Sequence, residues 1–215
     1  MSYLEYNTKY VPTGFRKLLY LNWPVILLLT AVASFGFLML YSVAGGSGTP
    51  WMEPQMKRFA VGMVLMVMVA MVPIWFWRNM AGVAFGGSLL LLVAVELFGS
   101  VGMGAQRWID LGFMRLQPSE LTKITLVMLL AAYYDWLPND RVSRPLWVLL
   151  PVLFILIPTA LVIKQPDLGT AILLLAGGGT VMFLAGVHWA YFGTVIAVGV
   201  GAVVAVFESR GTPWQ

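Results

Sequence analysis

What most constrains this chain is a series of uninterrupted apolar runs long enough to cross a bilayer. They are Leu21–Tyr41, Phe59–Phe76, Ala81–Leu97, Leu121–Tyr134, Leu146–Ile163, Ala171–Ala185 and Tyr191–Phe207. A hydrocarbon core of ~30 Å takes about 20 helical residues, with a range near 17–25. Five runs meet that range. Leu121–Tyr134 and Ala171–Ala185 are short, and each follows a polar segment that must extend its helix. The expectation is an all-α polytopic membrane protein with about seven transmembrane helices. Barrel strands, which alternate apolar and polar residues, are excluded by runs this continuous. The first run is too long for a cleaved signal peptide and lacks a convincing small-residue cleavage site.

Composition closes the soluble alternatives. Charged residues are 10% of the chain and apolar ones 60%, against about 25% and 45–50% in ordinary soluble domains. That leaves too few polar groups to cover a soluble globule, and the reverse of what disorder requires. The net charge of +4 comes without a Lys/Arg cluster, so there is no nucleic-acid footprint. The absence of cysteine excludes disulfides, thiolate nucleophiles and Cys-ligated metals.

Tryptophan marks the borders: Trp23, Trp51, Trp75, Trp77, Trp136, Trp147 and Trp189 fall near run ends, where amphipathic rings settle at the membrane interface. Orientation is not decided by charge. With the N-terminus inside, six basic residues lie inside (Lys9, Arg16, Lys17, Arg78, Arg141, Arg144) and seven outside (Lys57, Arg58, Arg107, Arg115, Lys123, Lys164, Arg210). The basic tail favours an inside N-terminus, and outer cations that topology does not explain suggest chemistry. The sequence divides into a tail (1–20), a helical membrane domain (21–207) with polar outer loops near 98–120 and 164–170, and the start of another loop (208–215). Gly177, Gly178, Gly179, Gly199 and Gly201 read as close helix packing.

Chemistry concentrates in those two loops, which fall on the same side of the membrane. Together with Lys123 they hold seven of the eight charges in the stretches 81–134 and 146–207; the eighth is Glu96. Each contains Gln-Pro and then an acidic residue, Gln117-Pro118-Ser119-Glu120 and Gln165-Pro166-Asp167. Proline suits a first helical position and an acid suits the first turn, so both stretches have a plain reading as helix starts. Glu120 and Lys123 share a helix face at spacing i,i+3 and sit on a run already short for the bilayer. Ionisable groups there are costly unless paired or facing a watery cavity. A structural ion pair is the bland reading; a functional site is the other. Arg107 and Arg115 either grip lipid phosphates or act as bidentate ligands for a phosphorylated substrate. His188, beside Trp189, reads as interfacial. No hydrolase, P-loop or metal-ligand spacing is present.

Gly104-Ala-Gln-Arg-Trp-Ile-Asp-Leu-Gly112, Leu116-Gln-Pro-Ser-Glu-Leu-Thr-Lys123 and Gln165-Pro-Asp-Leu-Gly-Thr170, in this order and spacing, resemble the signature loops of the SEDS family (shape, elongation, division and sporulation). They look closer to its elongation branch than to its division branch. The resemblance covers essentially the whole chain. It implies a bacterial inner-membrane glycosyltransferase with a cytoplasmic N-terminus and about ten spans, three more than the seven counted here. Such proteins polymerise lipid II into glycan strands beside a class B penicillin-binding protein transpeptidase. Both polar loops would then be periplasmic. The cations Arg107, Arg115 and Lys123 would meet the diphosphate leaving group, where charge develops. Glu120 would hold Lys123 or assist proton movement, with Trp108, Gln117, Gln165 and Asp167 lining the same cavity. No cofactor is evident, and a need for a divalent cation is not readable from these residues. The family's proposed catalytic aspartate lies in the loop after the seventh span, beyond Gln215, so the expectation is the N-terminal portion of such an enzyme, inactive alone. Competing expectations are a flippase for the same lipid-linked precursor and a non-catalytic scaffold of the wall-synthesis complex.

Overall fold

A computed structural model describes residues 14–102, 105–110, 115–195 and 197. Six long helices occupy the first six apolar runs: α1 (Trp23–Val43), α2 (Met52–Met71), α3 (Ile74–Phe98), α4 (Pro118–Trp136), α5 (Pro145–Lys164) and α6 (Leu168–Leu184). Residues 189–195 continue as helix into the seventh run, most of which lies outside the described residues, as do the tail up to residue 13, Gly199, Gly201 and the segment 208–215. By length and hydropathy α1, α2, α3 and α5 each suffice to cross a membrane. The apolar α6 is shorter at 17 residues, and α4 carries Glu120, Lys123 and Asp135 within its 19. This is a polytopic, mostly helical membrane protein.

Two sequence expectations are corrected in detail. The second run was expected to continue to Phe76, but α2 stops at Met71 and α3 starts at Ile74. Val72 is extended because Pro73 disfavours helical geometry in the residue before it. The polar loop between α3 and α4 is also more ordered than a plain loop. β1 (Ser100–Gly102) pairs antiparallel with β2 (Ala105–Asp110), with an irregularity after Ser100, and β2 pairs antiparallel with β3 (Arg115–Leu116), setting Ile109 opposite Leu116 and Asp110 opposite Arg115. This small ribbon hands the chain from the end of α3 to the start of α4.

The chain divides at Ile74/Trp75 into two compact units. In the first, Asn22 caps α1 by accepting the Val25 N–H at 3.4 Å. Lys17, in a 3-10 turn (Gly14–Tyr20), donates to the Met71 carbonyl at 2.8 Å, where the α2 dipole favours a cation. Neither α1 nor α2 has a buried residue.

The second unit holds the core. Leu92, Leu126, Leu130, Val162 and Leu174, from α3, α4, α5 and α6, are all buried to within 1%. Thr122 Oγ1 donates to the Pro118 carbonyl, and Ser88 and Thr125 share a hydroxyl bond of 2.7 Å between α3 and α4. In lipid, where no water competes, such interhelical polar links are worth about 0.6–2 kcal/mol. Close approach of α5 and α6 falls on Gly178: a Cβ there would lie 2.5 Å from Ile155 Cγ1, whereas Gly177 and Gly179 face open space. Two prolines, Pro151 and Pro158, interrupt the α5 hydrogen-bond ladder. The Trp147 carbonyl that Pro151 leaves unpaired accepts the Tyr133 hydroxyl of α4 at 2.8 Å.

Candidate functional site

At one end of the second unit, the end of α3, the ribbon, the start of α4, the end of α5 and the start of α6 come together. The two polar loops of the sequence, about 50 residues apart, are in direct contact there. Arg107 leaves β2 and reaches the α5–α6 connection. Its Nε donates to the Gln165 carbonyl at 3.0 Å, its Nη2 donates to the Pro166 carbonyl, and its Nη1 lies 3.8 Å from Asp167 Oδ2. Those carbonyls end α5, where unpaired acceptors and the negative end of the dipole attract a cation.

Asp167 does not occupy the first turn of α6, and Pro166 is not its first residue. Asp167 is the N-cap, one residue before Leu168, and Pro166 lies outside the helix. The cause is local. A carboxylate at the cap accepts the orphan N–H of Thr170 at 3.2 Å, and its other oxygen accepts the Thr170 hydroxyl at 2.9 Å. Gln117 Nε2 donates to that same Oδ2 at 3.3 Å. The parallel stretch behaves as expected: Pro118 opens α4, with Gln117 as its N-cap and Glu120 in its first turn.

Gln165 is buried, and its amide donates to the Leu92 carbonyl of α3 at 3.2 Å. Beside it, Lys164 pairs with Glu96 at 3.4 Å, tying α5 to α3. Sequence reasoning left Glu96 unassigned. Its place near the C-terminal end of α3, which the helix order sets at the same end of the bundle as the end of α5, is the available signal.

Glu120 and Lys123 pair at 2.8 Å across one turn of α4. The Glu120 side chain is 56% exposed and that of Lys123 26%. Arg115, 69% exposed, approaches Asp110 at 3.8 Å across the β2–β3 ladder. Trp108 lies on β2, between Arg107 and Ile109. Thus Arg107, Gln117, Gln165 and Asp167 form one connected cluster, with Glu120 about one helical turn and Lys123 about two turns along α4 from Gln117. Among the described residues no group of three His, Asp or Glu side chains is placed to hold a metal ion.

Residues 22–215 match the family model of the FtsW, RodA and SpoVE cell cycle proteins. The chain is 36% identical over 181 residues to the peptidoglycan glycosyltransferase MrdB of Escherichia coli K12, covering 83% of this chain and 48% of that protein. The structure resembles one from a peptidoglycan synthase complex that coordinates polymerization and crosslinking, with a TM-score of 0.78 and 29% identity over 90% of this chain and 56% of that one. It also resembles the rod shape determining protein RodA of Thermus thermophilus, with a TM-score of 0.71 and 29% identity over 86% of this chain and 59% of that one. The chain thus spans about half the length of the curated relative it matches.

Proposed function

The chain belongs to the FtsW, RodA and SpoVE family, and from that premise we propose that it serves in polymerising lipid II into peptidoglycan glycan strands for cell elongation. The bacterial inner membrane is its place, with the N-terminus cytoplasmic and the ribbon outside. A class B penicillin-binding protein that cross-links the strands is its partner. The observation that carries this reading is the convergence of both motif loops on one end of the unit, beside a Glu120–Lys123 pair held at 2.8 Å.

Breaking the glycosidic bond puts developing charge on a lipid-linked diphosphate. A cation already fixed where that charge appears stabilises the transition state without reorganising. Lys123 suits this role: Glu120 fixes the ammonium, and its protons remain able to turn toward a phosphate oxygen. Arg115, exposed on the ribbon, suits the approach of the diphosphate or of the sugar's charged appendage.

In cells that depend on this protein, Lys123→Ala and Glu120→Ala should each cut incorporation of labelled wall precursor about 10²–10³-fold, with the variant protein still inserted in the membrane. A scaffold would tolerate both changes. Loss of the variants from the membrane would make the pair structural.

A further inference from the structure

The geometry points to Arg107 and Asp167 as a strap that positions the outer site, not as groups that touch the substrate. This rests on the reading above and divides the labour within that site. Three guanidinium nitrogens of Arg107 each face a partner in the chain: the Gln165 carbonyl, the Pro166 carbonyl and the Asp167 carboxylate. The side chain is 29% exposed. With Nε and Nη2 bound to backbone carbonyls and Nη1 beside the carboxylate at 3.8 Å, the planar fork is committed to this one short connection rather than to a bidentate grip on a diphosphate.

Asp167 is as fully engaged. It accepts hydrogen bonds from the Thr170 N–H, the Thr170 hydroxyl and the Gln117 amide and holds the Arg107 guanidinium in an ion pair at 3.8 Å, and it is only 13% exposed. A general base must instead present an open lone pair within hydrogen-bond reach of the sugar hydroxyl. Through these bonds one carboxylate joins β2, the residue before α4 and the first turn of α6, while the neighbouring Gln165 joins α3. The strap thereby fixes the ribbon that carries Arg115 and the helix start that carries Glu120 and Lys123. Small displacements of a catalytic group cost about 10²-fold in rate.

The test uses the protein in lipid, with the variants Arg107→Lys, Asp167→Asn and Asp167→Ala. The chain has no cysteine, so spin labels at Asp110→Cys and Leu168→Cys report the distance between the ribbon and the α5–α6 connection. A strap predicts that Arg107→Lys, which keeps the charge and loses the fork, lowers kcat for glycan synthesis about 10²-fold with KM little changed, and broadens the distance distribution. Asp167→Asn keeps an acceptor for Thr170, and Gln117 can turn its own carbonyl to the new amide. It should stay within about tenfold of the parent with a narrow distribution, while Asp167→Ala falls about 10²-fold and broadens. Near-parental kcat and an unchanged distance in Arg107→Lys would overturn the strap. So would an Asp167→Asn variant as inactive as Asp167→Ala with the distance intact, which would make Asp167 the base. A parent that polymerises nothing, with distances responding as described, would overturn the functional reading and leave the strap standing.

Discussion

Arg115 and Lys123 differ from Arg107 in what their neighbours leave open. Arg115 has a long 3.8 Å approach to an exposed Asp110, an arrangement worth at most about 1 kcal/mol and weakened by salt. Arg115→Ala should therefore leave thermal stability nearly unchanged. Its effect should appear as a several-fold rise in KM for lipid II that shrinks as salt is added, with kcat preserved. A loss of kcat alone would mean that Arg115 acts at the reacting bond. The Glu120–Lys123 pairing was readable from spacing alone, because an i,i+3 pair needs only the helix to exist. The Arg107–Asp167 contact was not readable, since it depends on how two loops about 60 residues apart are brought together by helices between them.

Among the elements, α5 shows how a transmembrane helix tolerates a proline. Pro151 removes a backbone donor from the ladder, and Tyr133 supplies a hydroxyl to the Trp147 carbonyl instead. Tyr133→Phe should cost about 1 kcal/mol of stability in detergent or lipid. In a Pro151→Ala background, where the helix satisfies that carbonyl itself, the same change should cost much less. Additive losses in the double-mutant cycle would sever the link between the two residues. Gly178→Val should separate α5 from α6 and cost about 1–3 kcal/mol, while Gly177→Val, facing open space, should be mild. The apolar runs located all six long helices, yet could not tell which of three consecutive glycines meets a neighbour. The ribbon escaped them as well: β1 and β3 have only three and two residues, and the six of β2, Ala-Gln-Arg-Trp-Ile-Asp, do not alternate apolar with polar.

For the whole molecule, the run count fixes which connections share a side of the membrane but not which side that is, because basic residues divide almost evenly. The proposed orientation is testable with single cysteines, since these 215 residues contain none. A cysteine at Asp110 should react with an impermeant maleimide added outside intact cells, and one at Asn139, in the α4–α5 connection, should react only after the membrane is opened. The reverse pattern would invert the topology and remove the site from the face where the lipid-linked sugars are proposed to lie. Native protein and its Lys123→Ala variant, each with the proposed transpeptidase partner, are compared in liposomes containing labelled lipid II. The parent should yield glycan strands and the variant at most about one hundredth of that. Lipid II that crosses the bilayer and stays monomeric in both would contradict the polymerising role and make the outer site a transport site.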